Sequence, residues 1–317
     1  MVVHLLLLVV GVAGLTIAAD WFVVGAAQAA ARLRISTVVA GALIIGFGTS
    51  APELVVSTLA ALTEGPEGTA LAMGNIVGSN VANLTLVLAI PALAFGSVRI
   101  VKGVKRQAAL SASGVTVFAA LLFFAEPSRW WGALLLILTV AALTAILRFR
   151  EWFGGVPPPD TAEGVSPWVR TVVGLVGTVG FAYLVVETAT EVAHDLGWTG
   201  GFVGFALVAV GTSLPELVTA LAAARRGETG LILGNLLGSN LFNGLLVGAA
   251  VFLANGPTPY DKELGLPNWL LLVMVAISWI VIVMMRTGRK ISRLEAVILL
   301  SSYAVVLGLS AASFATV

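Results

Sequence analysis

The chain has no cysteine, only two histidines among 317 residues, and few charges: Asp, Glu, Lys and Arg make up 10% of it. Without cysteine there is no disulfide, no thiolate nucleophile and no thiolate-held zinc or iron–sulfur centre. His4 and His194 lie near expected membrane edges and read as interfacial residues. A soluble domain carries about a quarter charged residues, so this shortage excludes an ordinary soluble protein. A net charge of +1 leaves no basic surface for a nucleic-acid partner. What the chain has instead is apolar sequence, 59% of all positions. It is a polytopic membrane protein whose surroundings are a lipid bilayer.

A membrane span needs about 20 mostly apolar residues. Ten such stretches are expected, at roughly 2–24, 37–62, 69–95, 104–125, 130–148, 167–190, 199–224, 230–254, 268–286 and 292–315. Met1 to Ala19 lacks the basic n-region of a signal peptide and runs on in apolar sequence past Asp20, so it belongs to the first span. Alternate loops then collect the charge. One side holds Arg32, Arg34, Arg99, Lys102, Lys105, Arg106, Arg148, Arg150, Arg170, Arg225, Arg226, Arg286, Arg289, Lys290 and Arg293; the other holds only Arg129 and Lys262. By the positive-inside rule both termini face outward across the cell membrane. The stretch 151–166, with prolines at 157, 158 and 159, is a cytoplasmic linker between a first five-helix half, 1–150, and a second, 167–317.

Two phrases interrupt the apolar pattern. Gly46-Phe47-Gly48-Thr49-Ser50-Ala51-Pro52-Glu53-Leu54 puts a carboxylate, two hydroxyls and a proline inside the second span. Val210-Gly211-Thr212-Ser213-Leu214-Pro215-Glu216-Leu217 does the same in the seventh. An acid beside broken helix in hydrocarbon is a functional site by default. The match extends further: an offset of 163 pairs Gly41 with Gly204, Thr49 with Thr212, Ser50 with Ser213, Pro52 with Pro215 and Glu53 with Glu216. After a loop three residues longer in the first half, an offset of 160 pairs Gly74 with Gly234, Asn75 with Asn235, Gly78 with Gly238, Ser79 with Ser239, Asn80 with Asn240 and Asn83 with Asn243. Each half has an odd number of spans, so the second enters the membrane from the opposite side. An inverted repeat of this kind places its site near the midplane, where the halves meet.

Pro52 and Pro215 offer no amide hydrogen to the carbonyls of Gly48 and Gly211. Carbonyls around Gly46 to Thr49 and Ala209 to Thr212 are therefore expected to be free. Thr49 and Glu53 are four apart and share a helix face, as do Ser79 and Asn83. The converging groups are all oxygen, which suits hard cations such as Ca²⁺ and Na⁺ and offers nothing to zinc or copper. Two ionised glutamates would balance one Ca²⁺ or two Na⁺. Gly41, Gly74, Gly78, Gly234 and Gly238 read as helix-packing positions, and Asn75, Asn80, Asn235 and Asn240 as either ligands or interhelical hydrogen-bond glue. Asp20, Glu187 and Glu191 lie in or near spans without being symmetry mates; they read as interfacial groups or the lining of an access path.

These paired GTSxPEL phrases, each followed by GNxxGSNxxN (Gly74 to Asn83, Gly234 to Asn243), resemble the calcium/cation antiporter superfamily, in its prokaryotic sodium/calcium exchanger-like branch. The resemblance implies an all-α fold of ten transmembrane helices in two inverted repeats. It also implies exchange of Ca²⁺ for Na⁺ by alternating access, with helices 1 and 6 sliding against the core. It makes Glu53 and Glu216 the central metal ligands. Thr49, Ser50, Thr212, Ser213 and the carbonyls of Gly46 and Ala209 would contribute, and Ser79, Asn83, Ser239 and Asn243 would complete the ring. No enzyme activity and no resident cofactor are implied, and the complete pair of repeats makes a functional monomer plausible.

Rival couplings remain open. Potassium-dependent relatives carry an acid at the place of Asn243, and proton/calcium exchangers place theirs in a GNxxE phrase; this chain has neither. H⁺ remains a possible competitor at the two glutamates. A membrane-embedded hydrolase would want a nucleophile and base, but both histidines lie outside the repeats. A channel would more naturally be a ring of identical subunits.

Overall fold

The computed structural model describes residues 2–63, 65–125, 128–153, 157, 164–195, 211–254 and 267–315. The principal helices are α1 (Val2–Leu33), the bent pair α2 (Thr37–Thr49) and α3 (Ala51–Thr63), α4 (Gly68–Phe95), α5 (Val104–Phe124) and α6 (Arg129–Arg148). They continue as α7 (Pro167–Asp195), α8 (Leu214–Arg225), α9 (Thr229–Ala254), α10 (Asn268–Thr287) and α11 (Arg293–Ala315). Among the described residues eight helices are long and apolar enough to cross a membrane, and the bent pair makes a ninth. The expected span at 199–224 is described only from Gly211 onward, so it does not enter that count. Exposed Trp21, Trp130, Trp131, Trp152 and Trp168 supply amphipathic rings of the kind that settle at membrane interfaces.

The helices sort into an enclosed core and a periphery made of α6, α11 and the outer pair α1 and α7. The most apolar windows of α4 and α9 are 78% and 83% buried, against 28% for those of α1 and α7. Both outer helices are long, at 32 and 29 residues. At 1.5 Å per residue each exceeds the hydrocarbon thickness of about 30 Å, so both are long enough to span with a tilt or to project beyond it. The first helix ends nine residues beyond the expected boundary because its Ala-rich end, Ala26 to Ala31, packs on the core rather than facing lipid.

α1 and α7 run antiparallel and interlock through small residues. Gly11 faces Val185, Gly14 faces Phe181, Ala18 faces Gly177, Phe22 faces Gly174, and Gly25 faces Thr171. This stepwise pairing is the close packing that membrane helices use where apolar burial gives no net drive.

The core closes differently. A Cβ on Gly41 would lie 2.6 Å from the Leu231 carbonyl oxygen and 2.9 Å from the Asn235 amide nitrogen, and one on Gly238 2.6 Å from the Ala42 Cα. α2 and α9 therefore touch backbone to backbone. This is the packing role expected of Gly41, Gly234 and Gly238.

Among the described residues three wide turns interrupt the core helices, none visible in the sequence. Gly41–Gly46 is π-helical, and so are Asn83–Val87 and Asn243–Val247. The last two occupy matching places at the offset of 160 and begin on the paired asparagines. A short antiparallel ribbon, β1 (Ser97–Arg99) with β2 (Lys290–Ser292), joins the α4–α5 loop to the α10–α11 loop. Its register sets Val98 opposite Ile291, both buried, and Arg99 opposite Lys290.

Gly41→Ala is expected to destabilise the protein by about 1–3 kcal/mol, because the atoms it would strike are main-chain and cannot swing aside. Gly180→Ala, with no atom of the described residues within 4 Å of the added carbon, serves as the control. The check is the melting temperature of each purified variant in detergent. An unchanged melting temperature for Gly41→Ala would remove the backbone contact between α2 and α9.

Candidate functional site

Proline breaks both repeated phrases at the same point. Ser50 sits between α2 and α3 at φ −81°, ψ 1°, and the two helices bend by 41°. Its mate Ser213 has φ −90°, ψ 3° ahead of α8. Pro52 and Pro215 lie two residues beyond, in the first turn of the following helix, where a missing N–H costs least. The break falls at Ser50 rather than across Gly46 to Gly48, and the turn before it widens instead of unwinding. In consequence the Gly46 carbonyl is engaged, not free: it accepts from the Ser50 amide at 3.1 Å and from Ser239 Oγ at 3.2 Å. Ala209 lies outside the described residues.

The expected side chains gather in the centre of the core. Glu53 and Glu216 are wholly enclosed, as are Thr49, Asn83, Ser239 and Asn243, while Ser50, Ser79 and Ser213 are buried to within 3%. Thr212 is half-buried. Neither carboxylate oxygen of Glu53 has a hydrogen-bond partner among the described residues, nor has Oε2 of Glu216. Glu216 Oε1 accepts from Ser239 Oγ at 3.4 Å. The hydroxyls of Ser50, Ser79 and Ser213 are likewise buried without partners among the described residues, as are both polar atoms of the Asn243 amide. Orphaned buried polar groups are rare and call for an explanation. Here they are oxygen-rich and cluster about two carboxylates.

Around this cluster runs a network that crosses between the repeated phrases. Thr49 Oγ1 donates to Asn235 Oδ1 (3.2 Å) or to its own Ile45 carbonyl (3.0 Å). Its mate Thr212 donates to Asn75 Oδ1 (3.3 Å). Asn235 Nδ2 donates to Thr219 Oγ1 (3.2 Å), and Asn75 Nδ2 to Ser57 Oγ (3.0 Å). Asn83 Nδ2 donates to Asn240 Oδ1 (3.0 Å), and Asn240 Nδ2 to the Asn80 carbonyl (2.9 Å). Asn75, Asn235 and Asn240 each make interhelical hydrogen bonds through both amide atoms, the pattern of the second of the two readings open to them. Asn80 contributes its carbonyl, while its side-chain amide has no partner among the described residues.

Sequence reasoning missed Ser57 and Thr219. Ser57 stands four residues after Glu53, and Thr219 three after Glu216, so helical spacing alone would have put each near its acid. It also missed Gln107 of α5, wholly enclosed, whose Nε2 reaches the Gly234 carbonyl at 3.4 Å.

The remaining acids lie elsewhere. Asp20 is not part of the cluster: it forms a bidentate pair with Arg226, at 2.8 Å to Nε and 2.5 Å to Nη2, tying α1 to the α8–α9 loop. Glu187 and Glu191 are exposed on α7. The side chain of His194 lies outside the described part of the structure.

Comparison with known proteins bears on what such a cluster does. The profile of the sodium/calcium exchanger protein family matches residues 3–148 and 166–312. A putative antiporter, CaxA of Alkalimonas amylolytica, is 33% identical over 96% of this chain and 97% of its own. The sodium/calcium exchanger MaX1 of Methanosarcina acetivorans is 28% identical over 95% of this chain and 96% of its own. Among solved structures, the sodium-calcium exchanger NCX_Mj, soaked with zero Na⁺ and Ca²⁺, superposes with a TM-score of 0.83 at 29% identity. That match covers 97% of this chain and 99% of the other.

Two enclosed carboxylates without a protein cation leave a deficit of positive charge. Glu53→Gln and Glu216→Gln each remove half of it and are expected to weaken divalent-cation binding at least about thirtyfold. Isothermal titration of the purified variants with Ca²⁺ measures this. Ordinary affinity in either variant would remove the two-carboxylate reading.

Proposed function

The chain belongs to the sodium/calcium exchanger protein family, and on that premise we propose that it is a secondary antiporter exchanging Ca²⁺ for Na⁺. Both ions compete for one midplane site built on Glu53 and Glu216. The observation that carries the reading is the enclosure of both carboxylates with three of their four oxygens unpartnered among the described residues. Desolvating a carboxylate costs several kcal/mol, and the cost is recovered only when a cation or proton arrives. One Ca²⁺ or two Na⁺ neutralises the pair, so occupancy by one excludes the other and exchange follows from charge alone.

The donor set is Thr49, Ser50, Glu53, Ser79, Asn83, Thr212, Ser213, Glu216, Ser239 and Asn243, with the Ala209 carbonyl; the Gly46 carbonyl joins it when Ser239 turns its one proton to Glu216 Oε1 or Asn235 Oδ1 instead. Six to eight oxygens suit Ca²⁺, and a pool larger than that lets the same cage hold smaller sets about Na⁺. In this reading residues 1–150 and 167–317 are inverted five-helix halves joined by the linker 151–166. The ten spans place both termini outside the cell membrane, and one chain supplies the whole site.

Alternating access falls to α1 and α7. Their stepwise small-residue interlock makes them one body. That body meets the core at two paired positions that carry no side chain: Gly48 lies against Leu175 and Phe22, and Gly211 against Val186. Bare backbone on both sides of the site lets the pair pass without a side chain to climb over.

Coupling to K⁺ or H⁺ is less well supported. Asn83 and Asn243 are both neutral, and Asn83 commits its Nδ2 to Asn240. Neither amide brings the extra charge that would help hold a K⁺ beside the two carboxylates.

Reconstituted into liposomes, the protein is expected to take up Ca²⁺ when an outward Na⁺ gradient is imposed, and not under a K⁺ or pH gradient alone. Uptake that ignores Na⁺ and follows pH would overturn the assignment. Asn243→Asp adds a third carboxylate and is expected to alter the relative preference for Na⁺, K⁺ and Ca²⁺ or the pH dependence of uptake. A profile identical to the parent would show that Asn243 does not set the branch.

A further inference from the structure

Asn75 and Asn235 sit beside the cluster without belonging to the expected donor set, and the hydrogen bonds they make follow one pattern in both halves. Each oxygen accepts from the threonine of the opposite phrase, Thr212 for Asn75 and Thr49 for Asn235. Each nitrogen donates to a hydroxyl on the preceding helix, Ser57 for Asn75 and Thr219 for Asn235.

The orientation of Asn235 follows from its neighbours. Thr219 directs its own proton to the Pro215 carbonyl at 2.7 Å or the Glu216 carbonyl at 3.0 Å. It can therefore only accept from Asn235, which fixes the amide nitrogen on that side and the amide oxygen toward Thr49.

A threonine hydroxyl has one proton and two lone pairs. To serve a cation it must send the proton away and keep the lone pairs toward the ion. We propose that Asn75 and Asn235 are positioning residues that do this, each drawing the hydroxyl proton of the opposite half's threonine so that its oxygen faces the ion. The inference rests on the reading of Thr49 and Thr212 as ion ligands.

A slip in the repeat supports it. At the offset of 163, Ser57 aligns with Ala220, and Thr219 with Val56. The supporting hydroxyl has moved by one residue between the halves, yet it holds the same amide nitrogen in both. Inherited symmetry alone does not produce that match. The rival acceptors for Thr49 are the Ile45 carbonyl of its own helix, the ordinary bond of a helical threonine, and the Ser239 hydroxyl and Glu216 carboxylate beside it.

A double-mutant cycle decides between them, read as Ca²⁺ affinity by isothermal titration of the full-length protein. Thr49→Val and Asn235→Leu are each expected to lower affinity roughly fivefold to tenfold. Combined, they fall no further than either alone, whereas Asn235→Leu with Thr212→Val multiplies. Thr49→Ser, which restores the hydroxyl, is expected to recover affinity relative to Thr49→Val when Asn235 is present and none of it with Asn235→Leu. Parental affinity in Asn235→Leu, with loss in Thr49→Val, would hand the role to those rivals and overturn the proposal. So would full multiplication of the Thr49→Val and Asn235→Leu effects. Parental affinity in Thr49→Val would instead sink the threonine-ligand reading itself. If Asn235→Leu does not yield folded protein, Asn75→Leu with Thr212→Val runs the same cycle in the other half, and non-additivity or multiplication there supports or overturns the proposal in the same way.

Discussion

Two carboxylates enclosed without a protein cation among the described residues set the terms for the rest of the molecule. Glu53 and Glu216 could each have been neutralised by an arginine, as Asp20 is by Arg226 at the rim. Instead they are surrounded by hydroxyls and amides, groups that orient around an ion but cannot cancel its counter-charge. Breaks at Ser50 and Ser213, two residues ahead of a proline in each copy, bring the acids and hydroxyls of one phrase against those of the other. The core around them is the most enclosed part of the described fold.

The acids were legible in the sequence because charge is so scarce in the spans that any intramembrane carboxylate stands out, and the repeat supplied a second copy of each. Helix positions followed for the same reason, with most observed ends falling close to the expected ones. What escaped depends on packing rather than on residue type. The π-helical turns beginning at Asn83 and Asn243 have no local signature; a wide turn is stabilised by what presses on it from neighbouring helices. The three-residue ribbon at Ser97–Arg99 is too short and too charged to register as strand. Ser57 and Thr219 were hidden by the repeat itself, since a search for matched positions passes over residues that have slipped by one.

The fold divides its labour between contacts that hold and contacts that let go. Around the site, hydrogen bonds link Thr49 to Asn235, Thr212 to Asn75, and Asn83 to Asn240, so each phrase is fastened to its counterpart. Against the outer pair the core presents Gly48 and Gly211, which have no side chain to fasten with. In the exchange proposed above, that contrast lets α1 and α7 travel while the donor atoms keep their places. The Asp20–Arg226 pair is a polar tie between α1 and the core, and it is half-exposed, where a salt bridge contributes little.

The backbone contact between α2 and α9 has a consequence for how such a site can diverge. The gap between the helices bearing Thr49 and Ser239 is set by main-chain radii at Gly41 and Gly238, not by rotamers. Substitution can widen that gap but has nothing left to remove in order to narrow it. The charge of the site, by contrast, rides on the side chains of Glu53 and Glu216, and a neutral position such as Asn243 could add to it without touching that contact. Diameter and charge are thus controlled by separate residues, and a descendant of this chain can acquire a new ionic preference by changing valence while the aperture stays at its smallest.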